Sequence, residues 1–246
     1  MNKTVFITGA SRGIGAACAV YFAEKGYDVA INYLNSDAKA EAVAERVKAC
    51  GRRVCTLKGD VADSASVRRM VQEAENHFGA IDVLVNNAAI ALPQAVFTAV
   101  PEAEWKRMFA VCVDGLFHCT SAVMPGMIRK KQGSIVNISS IWGISGASCE
   151  VHYSAAKAAI FGATKALAQE LAPSGIRVNC VAPGVIDTDM NRHLSREDMD
   201  MLKEETPLGR IGTPEDIAKA VYFLAEDRLS AFTTGQVLSP NGGFVV

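Results

Sequence analysis

Short β-rich runs alternate with longer helical segments along all 246 residues of this chain, and this alternation restricts the possible folds more than any other feature. The stretches between the runs carry apolar residues at helical spacing, as in 38–50 and 64–78. Runs that are apolar on both faces need helices on both sides of the sheet they form. The sequence therefore predicts an α/β fold, one doubly wound domain over residues 1–246 with a parallel sheet of about seven strands. The predicted strands are Thr4–Thr8, Asp28–Tyr33, Arg53–Lys58, Ile81–Asn86, Ser134–Ser139, Arg177–Val181 and Gln236–Ser239.

The charge balance argues against polyanionic partners. The net charge is −1 and the pI is near 6.4, so no field attracts nucleic acid or an anionic membrane. The first three residues lead directly to the first predicted strand, Thr4–Thr8, and this apolar segment is too short for the apolar region of a signal sequence. No uninterrupted apolar run reaches the length of a membrane span. We therefore expect a cytoplasmic protein.

The cysteines give no sign of a metal site. All seven are scattered, without the close Cys or Cys/His pairing that zinc requires. Reduced thiols that act as small apolar side chains are the expected reading. A disulfide between Cys50 and Cys55 across a turn at Gly51 is the alternative.

A glycine-rich turn lies where the first strand meets the first helix. Gly9, Gly13 and Gly15 surround Ser11, Arg12 and Ile14, and such a turn lets backbone amides reach a pyrophosphate at a helix N-terminus. A loop with unusual backbone angles is the alternative. The apolar strand before it and the helical pattern after it favour a dinucleotide site, as in a Rossmann fold.

Tyr153 and Lys157 stand four residues apart and so share one helix face, downstream of Ser140. Lowering a tyrosine pKa from about 10 to neutrality needs roughly 4 kcal/mol of preference for the phenolate. A lysine ammonium about 4 Å away supplies about that much at the effective dielectric of a protein surface. Such a pair also occurs by chance on many helices, but here it accompanies the glycine turn. We expect Tyr153 to be a general acid and base.

Taken together, these motifs resemble the short-chain dehydrogenase/reductase family over nearly the whole chain. The matching residues are Thr8, Gly9, Gly13 and Gly15, then Asp60–Val61, Asn86–Asn87–Ala88, Ser140, Tyr153 and Lys157, and finally Pro183, Gly184, Ile186 and Thr188. The resemblance implies catalytic roles for Ser140, Tyr153 and Lys157. It also implies that Asp60, followed by Val61, binds the adenine, that Asn87 and Ala88 lie near the ribose, and that the segment from Pro183 to Thr188 binds the nicotinamide carboxamide. The alternatives are that Asp60 caps a helix near Ser64 and that Pro183–Gly184 is an ordinary turn.

The end of the second predicted strand indicates which cofactor binds. NAD-dependent folds place an acid there for the ribose 2′-hydroxyl, but the sequence from Ile31 to Asn35 has none. Arg12 offers a guanidinium for a 2′-phosphate, and Asn32 and Ser36 are further candidates to hold it. NADPH/NADP+ is therefore the expected cofactor, with NAD as the alternative.

Within the family, the turn from Ser11 to Gly15 and the segment from Thr234 to Leu238 resemble bacterial 3-oxoacyl-[acyl-carrier-protein] reductases. This implies a small or carrier-bound ketone substrate and, for Arg129–Lys130–Lys131, either acyl carrier protein docking or a solvated helix end. The polar stretch 187–205 is expected to close over the substrate. The resemblance also implies a homotetramer, and the small residues along the helix predicted at 154–171 permit close packing.

Two other hypotheses stay open. Cys112 stands where the family usually has an asparagine, and together with Trp142 and the segment 146–151 it resembles a branch that reduces a 5-aminopentanone-type modification on translation elongation factor P. In that case Glu150 would meet a substrate amine. Cys112 also motivates the hypothesis that the chain binds NADPH and regulates without turnover.

Overall fold

The computed structural model describes residues 2–191 and 195–246, and at its centre lies a parallel sheet with the strand order β3-β2-β1-β4-β5-β6-β7. The predicted α/β architecture is confirmed, and the predicted strand ends agree with the observed ones to within two residues. The strands are β1 (Thr4–Ile7), β2 (Asp28–Tyr33), β3 (Val54–Lys58), β4 (Val83–Asn86), β5 (Gly133–Ile138), β6 (Ile176–Val181) and β7 (Val237–Leu238).

Helices join the strands and cover both faces of the sheet. In the described ranges they are α1 (Gly13–Glu24), α2 (Asp37–Ala49), α3 (Ser64–Phe78), α4 (Glu102–Phe109), α5 (Gly115–Lys130), α6 (Trp142–Ser145), α7 (Val151–Leu171), α8 (Arg196–Glu205), α9 (Pro214–Ala225) and α10 (Asp227–Ser230). A π-helical turn, Ala110–Asp114, joins α4 to α5. Helices α1, α2 and α9 pack on one face, and α3, α5 and α7 pack on the other.

Side chains along β1 point alternately to the two faces of the sheet and so contribute to two hydrophobic cores. Val5 and Ile7 belong to the core under α1 and α9, while Phe6 points into the core under α3 and α5. All three side chains are fully buried. A strand covered on both sides has no polar face, which is why these runs read as continuously apolar.

The sheet reverses its direction of growth between β1 and β4. The chain builds outward from β1 to β3 and then returns to add β4 on the other side of β1. The connections on the two sides diverge at this point and leave a crevice beyond the carboxyl ends of the strands. The glycine turn follows β1 and Asn87 follows β4, so both lie at this crevice.

The start of α9 follows the pattern of its sequence. Thr213 accepts a hydrogen bond from the backbone NH of Asp216, and the Asp216 carboxylate accepts one from the NH of Thr213. This is a capping box with proline in the first turn. Arg210 also pairs with Asp216 at 2.7 Å. Together these bonds lower the pKa of Asp216 to about 2.

One helical stretch in the described part of the chain, Glu102–Lys130, is long and apolar enough by composition to cross a membrane. This criterion is weak, because a core helix of a soluble protein meets it as well. Val111, Cys119, Val123 and Met127 from this stretch are buried against the sheet. The stretch therefore serves as a core element here.

All seven cysteines are free, as predicted, and Cys50 and Cys55 form no disulfide. Burial raises the pKa of Cys18, Cys119 and Cys180 to about 12. At neutral pH these thiols are protonated and act as small apolar side chains.

Candidate active site

The glycine turn follows β1 and adopts backbone angles that favour glycine. Gly9 and Gly13 have φ angles of +63° and +56°. A side chain on Gly9 would meet the Cα of Ala88 at 2.9 Å, and one on Gly15 would meet the amide nitrogen of Asn87 at 2.6 Å. The turn is therefore packed directly against the segment that follows β4.

Asn87 and Thr8 lock these two segments together. The Asn87 side chain donates to the carbonyls of Thr8 at 2.8 Å and Gly9 at 3.1 Å. In return, the Thr8 hydroxyl accepts hydrogen bonds from the backbone NH groups of Asn87 and Ala88, both at 2.9 Å. The predicted ribose segment thus holds the predicted phosphate turn in place.

Asn32 has a structural role that the sequence did not indicate. Its side-chain oxygen accepts from the NH of Gly9, and its amide nitrogen donates to the carbonyls of Leu57 and Gly59. The residue is buried, although it borders the crevice. Its amide therefore fixes the glycine turn to β2 and β3, and the expectation that it holds a phosphate stays a prediction.

A cavity of about 430 Å³, here called the cofactor cavity, lies over the glycine turn. The first turn of α1 has no side-chain cap and no acidic residue, so its backbone NH groups remain available to an anion. The lining brings together twelve predicted residues: Gly9, Ser11, Arg12, Gly13, Ile14, Asn32, Ser36, Asp60, Val61, Asn87, Ala88 and Thr188. This arrangement fits a dinucleotide, with its pyrophosphate at the helix N-terminus.

Asp60 does not cap a helix, so that alternative is wrong. Asp63 caps α3 by accepting from the NH groups of Ala65 and Ser66. The Asp60 carboxylate accepts from the NH of Ala62 at 2.9 Å and from Arg107 at 2.9 Å. Arg107 lines the cofactor cavity from α4, and no sequence motif pointed to it.

Two cations lie beside the far end of the cofactor cavity. Arg12 and Lys39 both approach the carboxylate of Asp189, at 3.7 Å and 2.7 Å. Arg12 is among the predicted cofactor residues, whereas Lys39 lies in α2, outside any motif, and is not. The residues from Tyr33 to Ser36 line the same end and include no acid.

The segment after β6 connects the two halves of the site. The Pro183 carbonyl accepts from the NH of Ile141, and Gly184 lies so close to Asn241 that a side chain would meet its Cα at 2.7 Å. Thr188 lies beside Gly13. The Pro183–Gly184 segment therefore packs closely against the residues that follow β5 and β7, and the chain continues from it to Ile186 and Thr188 at the crevice.

A second cavity of about 380 Å³, here called the substrate cavity, contains all three predicted catalytic residues. Ser140 follows β5, and Tyr153 and Lys157 lie on one face of α7. Lys157 is buried, donates a 3.0 Å hydrogen bond to the carbonyl of Ile138, and lies 5.5 Å from the centre of the Tyr153 ring. Ile14, Asn87 and Thr188 line both cavities, so the two adjoin.

The expectation that Lys157 lowers the pKa of Tyr153 to neutrality is not confirmed for the protein alone. Burial raises the pKa of Tyr153 above its ordinary value, and Cys112 and Glu150 raise it further. Lys157 and a hydrogen bond from Ser140 act in the opposite direction but do not outweigh burial. The direction of the lysine effect was right, but desolvation of the phenolate of this partly buried side chain is the larger effect.

The structure distinguishes Ser140 from its neighbour Ser139. The Ser139 hydroxyl donates a 2.7 Å hydrogen bond to the carbonyl of Lys157 and is committed to holding α7 against β5. The Ser140 hydroxyl accepts from the NH of Trp142 at 3.2 Å, so its own proton can be donated on the side of Tyr153, where a substrate oxygen would lie. This arrangement favours Ser140 as the residue that contacts a substrate oxygen.

Cys112 lies in the π-helical turn, buried beside Met108 and Ala156 and close to Tyr153. Its thiol is 3.7 Å from the sulfur of Met108. An asparagine there would have an amide to satisfy among these apolar groups, whereas a thiol has little need of a partner. The departure from the family pattern is thus accommodated by apolar packing.

Carboxylates form part of the wall of the substrate cavity. Glu150, Asp198 and Glu205 line it, and among the described lining residues Lys157 is the only lysine or arginine. Gln94 donates to Glu150 at 2.8 Å. The last two acids lie in α8, within the polar stretch 187–205 expected to cover the substrate, of which Arg192, His193 and Leu194 lie outside the described residues.

No group of three metal-ligating side chains is found in residues 2–191 and 195–246.

Comparison with known proteins agrees with this arrangement. A family model described as "Enoyl-(Acyl carrier protein) reductase" matches residues 9–245. The 3-oxoacyl-[acyl-carrier-protein] reductase FabG of Staphylococcus epidermidis is 44% identical over 243 residues, covering 99% of both chains. FabG of Chlamydia trachomatis is 43% identical over 247 residues, covering 99% of this chain and 97% of the relative.

A solved structure has the same fold throughout. A doubly substituted variant of a Serratia marcescens short-chain dehydrogenase/reductase superposes with a TM-score of 0.92 at 36% identity, covering 99% of this chain and 98% of the other. The resemblance inferred from the motifs therefore extends to the complete sequence and to the fold.

Proposed function

This chain belongs to the short-chain dehydrogenase/reductase family, and we propose that it reduces a ketone to a secondary alcohol with NADPH, in the manner of a 3-oxoacyl-[acyl-carrier-protein] reductase. The observation that carries the proposal is the convergence of Ser140, Tyr153 and Lys157 in a cavity that adjoins a dinucleotide-sized one. Similarity to FabG relatives over the full length supports the substrate class.

The three residues divide the work of proton delivery. A nicotinamide held beside the segment from Pro183 to Thr188 would supply the hydride chemistry at the carbonyl carbon. Ser140 donates a hydrogen bond to the carbonyl oxygen, and Tyr153 transfers its phenolic proton to that oxygen as negative charge develops there. Lys157 stabilises the phenolate that remains. The burial of Tyr153 keeps it protonated, which is the state needed for reduction.

The described cations support NADPH over NADH. Arg12 and Lys39 flank Asp189 at one end of the cofactor cavity, and the two positive charges exceed the single carboxylate between them. A 2′-phosphate would be attracted to this end, and no acid in the described lining from Tyr33 to Ser36 repels it. Arg12→Ala is expected to weaken NADPH binding while leaving NADH binding nearly unchanged.

The experiment that tests the reaction is NADPH oxidation with an acetoacetyl thioester, run beside NADH and beside Tyr153→Phe. We expect turnover that prefers NADPH and falls by at least about 100-fold in the variant. Turnover that survives Tyr153→Phe would refute the assigned acid. NADPH binding without reduction of any ketone would instead favour the non-catalytic regulator.

Acyl carrier protein is a proposed partner, but the structure does not favour Arg129–Lys130–Lys131 as its docking site. These residues lie at the end of α5, just before β5 begins, whereas Ser140 follows the carboxyl end of β5. They are therefore at the opposite end of the strands from Ser140. Lys130 pairs with Asp82, and Lys131 ends the helix in a left-handed conformation. The solvated helix end is the better interpretation.

The acidic wall supports a second candidate, a ketone that bears a primary amine. Glu150 lies close enough to Tyr153 to raise the pKa of the phenol, and the one described hydrogen bond of the Glu150 side chain comes from a neutral amide, Gln94. A carboxylate without a described cationic partner in a cavity attracts an ammonium group. This agrees with the 5-aminopentanone-type substrate on elongation factor P that the sequence resemblance implied.

Two substrates distinguish the candidates. An acetoacetyl thioester and a short amino ketone are each compared in the native protein and in Glu150→Gln. If the amine is recognised, kcat/KM for the amino ketone falls by about tenfold, as for the loss of one charge pair, while the thioester is affected far less. Equal effects on both substrates would eliminate the amine hypothesis.

We also propose a homotetramer. Ala158 and Gly162 form an open strip on α7, where a side chain on Gly162 would meet nothing within 4 Å, and Phe117 of α5 is 64% exposed. Small residues beside an exposed aromatic allow helices of two copies to pack closely. Sedimentation should show a tetramer that Gly162→Arg dissociates. A native protein that stays monomeric at micromolar concentration would contradict this.

A further inference from the structure

Arg107 is a charged residue of the cofactor cavity that no motif accounts for. It lies in α4, it is the only arginine besides Arg12 of the glycine turn among the described residues that line this cavity, and its Nη2 is 2.9 Å from Oδ2 of Asp60. The Arg107 side chain is 40% exposed and that of Asp60 is 30% exposed. The pair is therefore open on one side, towards the cavity.

The contacts of Asp60 show what this pairing does to the carboxylate. One oxygen accepts from the NH of Ala62 and the other from Arg107. The two bonds hold the carboxylate in one orientation after β3, where the backbone alone would leave it free to rotate. Arg107 therefore orients the group that the family resemblance assigns to adenine.

The surroundings of the guanidinium suit a flat apolar ring. Val61, Ala88, Ile90 and Val111 line the same cavity and belong to one apolar cluster, and Val61 and Val111 lie one residue from Asp60 and four residues from Arg107 along the chain. A guanidinium is planar and stacks on aromatic faces, so a base that lies between these side chains and Arg107 would gain both a cover and a favourable charge. Phosphate recognition is already assigned to the other end, beside Arg12.

We propose that Arg107 belongs to the dinucleotide site, covering the adenine with its guanidinium and presenting the Asp60 carboxylate to the base. The inference rests on the proposed use of a nicotinamide dinucleotide. Unlike Arg12, Arg107 acts on a part of the cofactor that NADPH and NADH share, so its contribution is the same for both.

The test measures binding rather than turnover. Dissociation constants for NADPH, NADH and 2′,5′-ADP are determined by calorimetry for the native protein, Arg107→Ala and Arg107→Lys. Arg12→Ala serves as the phosphate-end comparison. Arg68→Ala is the matched control, because Arg68 lies exposed on α3 with only Ser64 as its described partner. The melting temperature of each ligand-free variant is recorded as well.

We expect Arg107→Ala to weaken all three ligands by about tenfold, whereas Arg12→Ala weakens NADPH and 2′,5′-ADP but not NADH. Arg107→Lys keeps the charge but loses the planar cover, and should bind less tightly than the native protein. If Arg107→Lys bound all three ligands as tightly as the native protein does, stacking of the guanidinium on the adenine would be refuted.

If the ion pair between Arg107 and Asp60 only stabilises the fold and does not contact the cofactor, the result is different. Arg107→Ala would then lower the melting temperature while the dissociation constants of the folded protein stayed unchanged, and this outcome would overturn the inference. If the native protein bound none of the three ligands, the proposed function itself would fail, and this failure is distinct from the failure of the Arg107 assignment.

Discussion

The ammonium group of Lys157 lies 5.5 Å from the centre of the Tyr153 ring, on the same face of α7. It is close enough to lower the pKa of the phenol, yet burial of the hydroxyl has the larger effect and leaves the pKa raised. At neutral pH the phenol of Tyr153 therefore keeps its proton, and Lys157 limits how far burial raises its pKa.

This relationship predicts a pH dependence. Reduction needs the protonated phenol, so its rate should be constant around neutrality and fall only in the alkaline range. Oxidation needs the phenolate and should rise with pH. In Lys157→Met the pKa of Tyr153 rises further, which moves the alkaline fall to higher pH. Profiles of kcat/KM in both directions check this, and a reduction rate that already falls through pH 7 would contradict it.

Glu150→Gln should move the same profile the other way. Because Glu150 raises the pKa of Tyr153, removing its charge lowers that pKa and brings the alkaline fall to lower pH. Glu205→Gln is the matched control, since Glu205 lines the cavity but is not among the groups that shift the pKa of Tyr153. Identical shifts in both variants would show a general charge effect rather than a local one.

Ser139→Ala and Ser140→Ala should separate stability from catalysis. Ser139→Ala removes a buried hydrogen bond to the Lys157 carbonyl and should cost about 1–3 kcal/mol in the free energy of unfolding. Ser140→Ala should lower kcat by about 100-fold or more with a smaller change in stability. Urea titrations and steady-state kinetics on both variants provide the check. If Ser139→Ala lowered kcat and Ser140→Ala lowered stability, Ser139 would be the residue that contacts the substrate and Ser140 the structural one.

Asp216→Asn tests the capping box of α9. The pKa of Asp216 is about 2 in the folded protein and near the ordinary value of about 3.8 when unfolded. The carboxylate therefore stabilises the fold above pH 4, and this contribution is lost as the pH falls through 2. Because the group is partly exposed, the effect is small. The two proteins should differ in melting temperature at pH 6 and converge near pH 2, and a constant difference would rule out the charge as its source.

The sequence predicted the repetitive parts of the molecule well, for physical reasons. Strands covered on both sides leave continuous apolar runs, and the capping box of α9 consists of neighbouring residues. The glycine turn and the Tyr153–Lys157 pair are local motifs too. Each can be recognised because the residues that make it lie within a few positions of one another.

What the sequence could not show depends on contacts between distant segments. Arg107 meets Asp60 across 47 positions, and Lys39 meets Asp189 across 150. The buried role of Asn32 also appears only when three strand ends meet. The raised pKa of Tyr153 in the protein alone could not be predicted, because charge pairing can be inferred from spacing, whereas desolvation depends on the whole fold.

The wall shared by the two cavities has a consequence for the order in which ligands bind. Ile14, Asn87 and Thr188 line both, so a dinucleotide that occupied the first cavity would complete the boundary of the second. A ketone that bound before the dinucleotide would find one side of the substrate cavity missing and would bind weakly. We therefore expect compulsory ordered addition, with the nucleotide entering first and leaving last, and oxidised cofactor acting as a competitive inhibitor against the reduced form.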